Sequence, residues 1–236
     1  MRCGTLPTTR ERSTAVSQIT LRCRVHRLAD DGDDLIAAAL AATGARDAKA
    51  RAAWLVGGYA WLLAQPALTA FMRDGRVPEL RPERVAVVAA GDGTYEVVLD
   101  DATAATGPGR CHAARAALVA GLERNLGAVL ALPQLGAIGA RLRWALAADM
   151  LAGAALHIGH PLLGRAGAIR EAEALCAVPG RLRVPLDVIP GGDAGHHPER
   201  WRASCCLAHR EGHDLCPTCP RRRPSDARGR SGPSGP

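Results

Sequence analysis

Aromatic side chains are scarce: they make up 3% of the 236 residues, with Phe71 the single phenylalanine. A sequence this poor in rings cannot build a stacking platform for single-stranded nucleic acid. Its interior has to be filled by Leu, Val and Ala, which favours closely packed helices. Lysine is nearly absent too, with Lys49 alone beside 29 arginines. The net charge of +7 does not describe the body of the chain. Arg221, Arg222, Arg223, Arg228 and Arg230 stand against only Asp226 in the last seventeen residues, so four of those seven charges belong to the tail. What remains is too weak and scattered for a nucleic-acid footprint. No Gly-x-Gly-x-x-Gly follows a strand-like run, which argues against direct nicotinamide or flavin dinucleotide binding. No internal repeat is present. Met1–Arg12 has no apolar stretch of the export type, so a reducing cytosol is the expected compartment.

Hydrophobic residues at 47% and charged residues at 22% are ordinary for a globular chain. The length suits one substantial core with a small appendage. The uncharged run Ala52–Met72 is long enough to span a bilayer. Gly57-Gly58, Gln65-Pro66 and an alanine-rich composition favour a buried helix instead. The expected order starts with an extension, or an edge strand at Gln18–Val25. An acidic helix start at Asp30–Asp34 comes next, then apolar residues Leu35–Thr43. A helix over Asp47–Ala64 should stop at Pro66, with further turns over Ala67–Arg73. Arg84–Ala90 and Thr94–Asp100 are β-branched runs around Gly91-Asp92-Gly93 and predict a hairpin. Three helices are expected after it, over Cys111–Leu132, Leu135–Ile158 and Pro161–Cys176, the last with Glu171 and Glu173 outward. Arg181–Ile189 reads as an edge strand, because Pro185 cannot donate to a ladder. The fold class is therefore α+β and mostly α-helical. Residues 1–27 are an extension, 28–200 a helical body with one hairpin near 84–100, 201–220 a cysteine segment, and 221–236 an Arg/Pro/Gly tail expected to be disordered.

Four of eight cysteines fall within fifteen positions: Cys205, Cys206, Cys216 and Cys219. Two close pairs are separated by nine residues, and Pro217 favours the tight turn that lets the second pair share a centre. Four thiolates suit either zinc or a 2Fe–2S cluster. Adjacent side chains diverge, so directing Cys205 and Cys206 at one small ion strains the backbone. A two-iron cluster offers two metal atoms and relaxes that constraint. Spacing therefore favours iron–sulfur and leaves zinc open.

A Cys-Cys pair preceded by a basic residue, followed by Cys-x-x-Cys-Pro near the carboxyl end, resembles the FhuF family of ferric siderophore reductases. Gly58–Pro66 and Gly75–Leu80 resemble the family's amino-terminal helical part, and the hairpin and later helices fall where the family has them. The resemblance covers about Leu28–Pro220. The nine-residue spacing is one shorter than the family pattern, and the charged tail departs from it. The resemblance implies a 2Fe–2S cluster on Cys205, Cys206, Cys216 and Cys219 and one-electron reduction of ferric siderophores in the cytoplasm. The missing dinucleotide fingerprint points to a separate electron donor (a ferredoxin or a flavin/NAD(P)H reductase) and the charge distribution to no nucleic-acid partner, with peripheral contact at the inner face of the cell membrane a further expectation. Arg202 and Arg210, close by in sequence, are expected to favour the reduced cluster. A zinc-stapled binding module with a basic tail, and a 2Fe–2S carrier without siderophore activity, are the alternatives.

Other candidates read more plainly. His209 and His213 are loop or cluster-neighbouring residues, and His196-His197 are loop. His157 and His160 mark a helix end before Pro161. Cys3, Cys23, Cys111 and Cys176 read as small apolar residues, Trp54 and Trp144 as core, and Asp149 as a structural group within an apolar helix. Trp201 is a candidate shield for the cysteines.

Overall fold

The computed structural model describes residues 24–27, 36–89, 95–99, 105–106, 110–189 and 198–222. The expected extension up to residue 23, the acidic run 30–34, the loop 190–197 and the tail from 223 lie outside the described residues. Strand β1 (Arg24–Arg27) comes first, then helix α1 (residues 36–42) and helix α2 (Ala48–Asp74). Strands β2 (Arg76–Val77), β3 (Val85–Ala89), β4 (Tyr95–Leu99) and β5 (Ala105–Thr106) follow. Helices α3 (His112–Leu130) and α4 (Ala140–Cys176) precede the short strands β6 (Asp187–Val188) and β7 (Arg200–Trp201). The protein is α+β and mostly helical, and its cysteine segment follows β7.

The expected hairpin is present: β3 and β4 pair antiparallel, Val85 opposite Leu99 and Ala89 opposite Tyr95. On its other edge β3 takes β1, Val25 opposite Val88. Arg24 and Val25 of the expected edge strand belong to β1, and the rest of that expectation, residues 18–23, lies outside the described residues. Val85, Val87 and Val97 turn into the core. The strand expected over Arg181–Ile189 shrinks to β6, two residues beyond Pro185, paired with β7.

Helix α2 begins at Asp47, whose carboxylate accepts the Lys49 and Ala50 amides at 2.9 Å each. It ends at Gly75, in the left-handed conformation (φ 67°). Pro66 does not stop it. Proline removes one backbone hydrogen bond and crowds the preceding turn. Val56, Leu63, Leu68 and Phe71 on either side of Pro66 are buried against the core and hold both halves in line.

Helix α4 contains a break. Gly164 takes φ 71° and ψ 169°, and Pro161 just before it cannot donate to the His157 carbonyl. The two arms, residues 140–163 and 165–176, pack on each other. A Cβ on Gly159 would meet the Ala168 Cβ at 3.0 Å, and the buried Cys176 feels the charges of Asp149 and Arg200. Two helices are thus present here, as expected, but the junction is Gly164 rather than His160-Pro161. The second arm does not turn Glu171 outward. Glu171 is buried and forms a bidentate pair with Arg115 of α3 at 2.7 and 2.9 Å.

The main packing axis is α2 against α4, with α3 alongside. Helices α2 and α4 are long and apolar enough to cross a membrane by length and composition. Over half of each apolar window is buried within the fold (61% and 56%), as in core helices.

Candidate metal centre

Two backbone devices bring the cysteine pairs together. The Cys219 amide donates to the Cys216 carbonyl at 3.0 Å and closes the Cys216-Pro-Thr-Cys219 turn. The Arg202 amide donates to the Thr218 carbonyl at 3.0 Å, tying the strand before Cys205-Cys206 to that turn. The result is two facing thiol pairs: Cys205 interacts with Cys219, and Cys206 with Cys216. All four predicted cysteines are therefore neighbours. Cys219 is buried and the other three are half-buried.

Leu207 reverses the chain directly after the first pair. It is the one non-glycine residue with positive φ among the described residues (φ 63°, ψ 14°). That conformation costs about 1–2 kcal/mol for a residue with a Cβ. It turns the Leu207 amide back onto Cys205 Sγ at 3.4 Å. His209 brings Nδ1 to 3.8 Å from the same sulfur.

Burial pushes the Cys205 thiol up; the Leu207 amide opposes that shift, and Cys219 and Cys206 add to it. Cys216 is pushed up to about 11 by burial and by Cys206, with Arg202 pulling the other way. Four crowded thiols resist becoming four thiolates. A cationic metal group removes that resistance, since coordinated thiols lose their protons outright. No three His, Cys, Asp or Glu side chains among the described residues converge on a single ion position. Two facing thiol pairs offer two donors to each atom of a group with two metal atoms. The donor set and its grouping thus fit a 2Fe–2S cluster.

The segment is anchored to the helical body on two sides. On α4, Asp149 is 1% exposed and accepts from the Ala203 amide at 2.9 Å, the Ser204 amide at 2.7 Å and the Ser204 hydroxyl. Arg200, 5% exposed, meets it at 2.5 Å and also donates to the Pro185 carbonyl at 3.0 Å. On α2, Trp54 donates its indole N–H to the Cys206 carbonyl at 3.0 Å, and its ring lies 5.7 Å from that of His213. Arg210 pairs with Asp47 at 2.7 Å, and Glu211 accepts the Asp47 amide. The Arg210 hydrogen bond, supported by the Ala50 amide, holds the Asp47 carboxyl down at about 2.

Several sequence expectations sharpen here. Asp149 is structural, as expected, but its partners are the residues just before the first cysteine pair. Trp54 is an anchor as well as a core residue. The Arg202 charge acts on Cys216, whereas Arg210 is engaged by Asp47. His157 continues within α4, its ring tilted by 52° against that of Trp61 with the centroids 5.6 Å apart. Trp144 lies half-buried beneath Arg181, and Trp201 is half-buried in β7. Cys111 caps α3, its sulfur accepting the Ala114 amide at 3.5 Å. Cys3, Cys23, His196 and His197 lie outside the described residues. The sequence holds two traces of this arrangement, each uninformative alone: Asp149 is the one acid between residues 140 and 163, and Arg200 stands five residues before Cys205.

Residues 202–221 match the family model described as the FhuF 2Fe-2S C-terminal domain. The match spans the four clustered cysteines and agrees with the resemblance seen in their spacing. No curated protein and no solved structure matches the chain.

Proposed function

We propose that this FhuF-type 2Fe–2S segment equips the protein to reduce ferric iron in siderophore complexes by one-electron transfer, releasing ferrous iron in the cytoplasm. The observation that carries the reading is the match over 202–221 falling on four thiols that face each other in two pairs. Cys205, Cys206, Cys216 and Cys219 are the proposed ligands.

A hexadentate siderophore binds iron(III) far more tightly than iron(II). One added electron therefore loosens the metal, and cellular uptake of ferrous iron draws the reaction forward. A cluster bound by the four cysteines supplies that single electron. The chain's own residues set the conditions. The Leu207 amide directs a hydrogen bond at Cys205 and Arg202 puts positive charge beside Cys216; both stabilise added negative charge. Burial of Cys219 keeps water from one ligand. The electron comes from a separate ferredoxin or flavin/NAD(P)H reductase, which fits the missing dinucleotide fingerprint. The proposed location is the cytoplasm, with peripheral contact at the inner face of the cell membrane.

The test is a visible spectrum of anaerobically purified protein, followed by discharge of the dithionite-reduced form into a panel of ferric siderophores. Sulfur-to-iron charge-transfer bands and reoxidation by a ferric siderophore are expected. A colourless zinc protein overturns the cofactor. A coloured protein that stays reduced with every siderophore is an electron carrier of another kind.

A further inference from the structure

A cavity of about 260 Å³ opens between α2, α4 and the chain on either side of β7. Trp61, Leu156 and Gly153 form its apolar side, and Arg202 and His157 are among its polar groups. Asp149 and Arg200 also line it but neutralise each other, and Glu199 supplies one further acid. Arg202 carries a buried Nε with no hydrogen-bond partner. Thr218, in the turn between Cys216 and Cys219, is part of the wall. Consecutive Cα atoms are about 3.8 Å apart, so the cavity begins within one residue of the thiol cluster. Arg202 joins the two features, lining the cavity and acting on Cys216.

The size restricts the occupant. Whole-ligand pockets run from about 300 to 1,000 Å³. This one holds about nine water volumes, at roughly 30 Å³ each. A complete hexadentate siderophore is too large, whereas a single hydroxamate or catecholate arm is of the right size.

We propose that the cavity seats one bidentate oxygen-donor arm of the ferric chelate, with Arg202 donating to its oxygens and Trp61 and Leu156 covering its carbon part. This rests on the ferric-reductase reading above. The remaining arms and the chelate backbone stay outside. One electron reaches the iron(III), which departs as iron(II), and the freed arms take protons from water. No bond to the protein forms or breaks. Selection then acts on the arm rather than the whole chelate, so siderophores of different backbone that share an arm are alternative substrates.

Gly153 provides the test. A Cβ there meets only the Trp61 ring, at 3.8 Å, so Gly153→Ala enters without a clash and Gly153→Leu fills the cavity. Two measurements are paired: reoxidation of the reduced protein by ferric acetohydroxamate, and quenching of tryptophan fluorescence by the redox-inert gallium(III) acetohydroxamate complex. The expected result is a KM and a gallium-complex Kd that both rise several-fold in Gly153→Ala and more steeply in Gly153→Leu, with the visible spectrum of wild type. Unchanged KM and Kd in Gly153→Ala and Gly153→Leu of wild-type spectrum overturn the seat while leaving the reductase reading intact. If Gly153→Leu does not fold, Gly153→Ala decides alone. Wild-type protein that is reoxidised by ferricyanide but by no ferric chelate overturns the reductase reading, and the seat with it.

Discussion

The Asp149 carboxylate, buried in the middle of α4, accepts the Ser204 amide proton at 2.7 Å, one residue before the first clustered cysteine. The same carboxylate neutralises Arg200. Asp149→Asn keeps the shape but removes the charge, leaving Arg200 buried without its counter-ion. Breaking a buried pair from one side costs about 3–5 kcal/mol. Urea denaturation should show a loss of that order, and iron and sulfide content per chain should fall as the Cys205-Cys206 strand loosens. A variant with full stability and full iron content would remove Asp149 from this role.

The cysteines divide into two sets. Cys206→Ala or Cys216→Ala is expected to abolish the visible bands of the purified protein. Cys176→Ala and Cys111→Ala should retain them, because Cys176 is buried between helix arms and Cys111 caps α3. The Cys176 change should cost about 1 kcal/mol in stability, as an ordinary core substitution does. Iron analysis and absorption spectra on the four variants check this division.

Acid should release the α2 anchor within a defined window. Asp47 titrates near 2 in the folded protein, against 3.8 for the free group, because Arg210 and the Ala50 amide favour its charged form. Glu211 is lowered as well, by the Arg46 and Asp47 amides. A depressed carboxylate contributes stability above its unfolded pKa and loses it as pH falls through the folded value. The Asp47 contribution is therefore complete above about pH 4 and fades toward pH 2. Thermal midpoints between pH 5 and pH 3 should fall less steeply in Asp47→Asn than in wild type. Parallel slopes would mean that the Asp47–Arg210 contact is not formed in solution.

Gly164 sits at φ 71°, ψ 169°, a region essentially closed to residues with a Cβ. There is open space around it, so the penalty in Gly164→Ala is backbone strain alone. A loss of about 1–3 kcal/mol is expected in chemical denaturation. An unchanged midpoint would imply that the arms of α4 meet differently.

Much of this architecture is legible locally. The β-branched runs around Gly91-Asp92-Gly93 announce β3 and β4, and Leu118, Leu122, Leu126 and Leu130, spaced four apart, announce α3. Both signals come from residues that are near neighbours in the chain. The misplacements concern long-range packing. Pro66 is a helix breaker by itself, and only the buried residues around it explain why α2 continues. Glu171 reads as a surface acid until Arg115 is placed opposite it, 56 positions away. The site divides in the same way. The thiol spacing reveals the chemistry, but Trp54 and Asp149 lie 152 and 55 positions from the groups they hold, and no local pattern connects them.

The anchors that tie the cysteine segment to α2 and α4 run through carboxylates, an indole and backbone groups, while the Leu207 and His209 contacts to the Cys205 sulfur lie within the segment itself. Loading such a platform should therefore follow the folding of the helices rather than complete it. A chelator that strips the iron should leave the helices standing, ready for recharging.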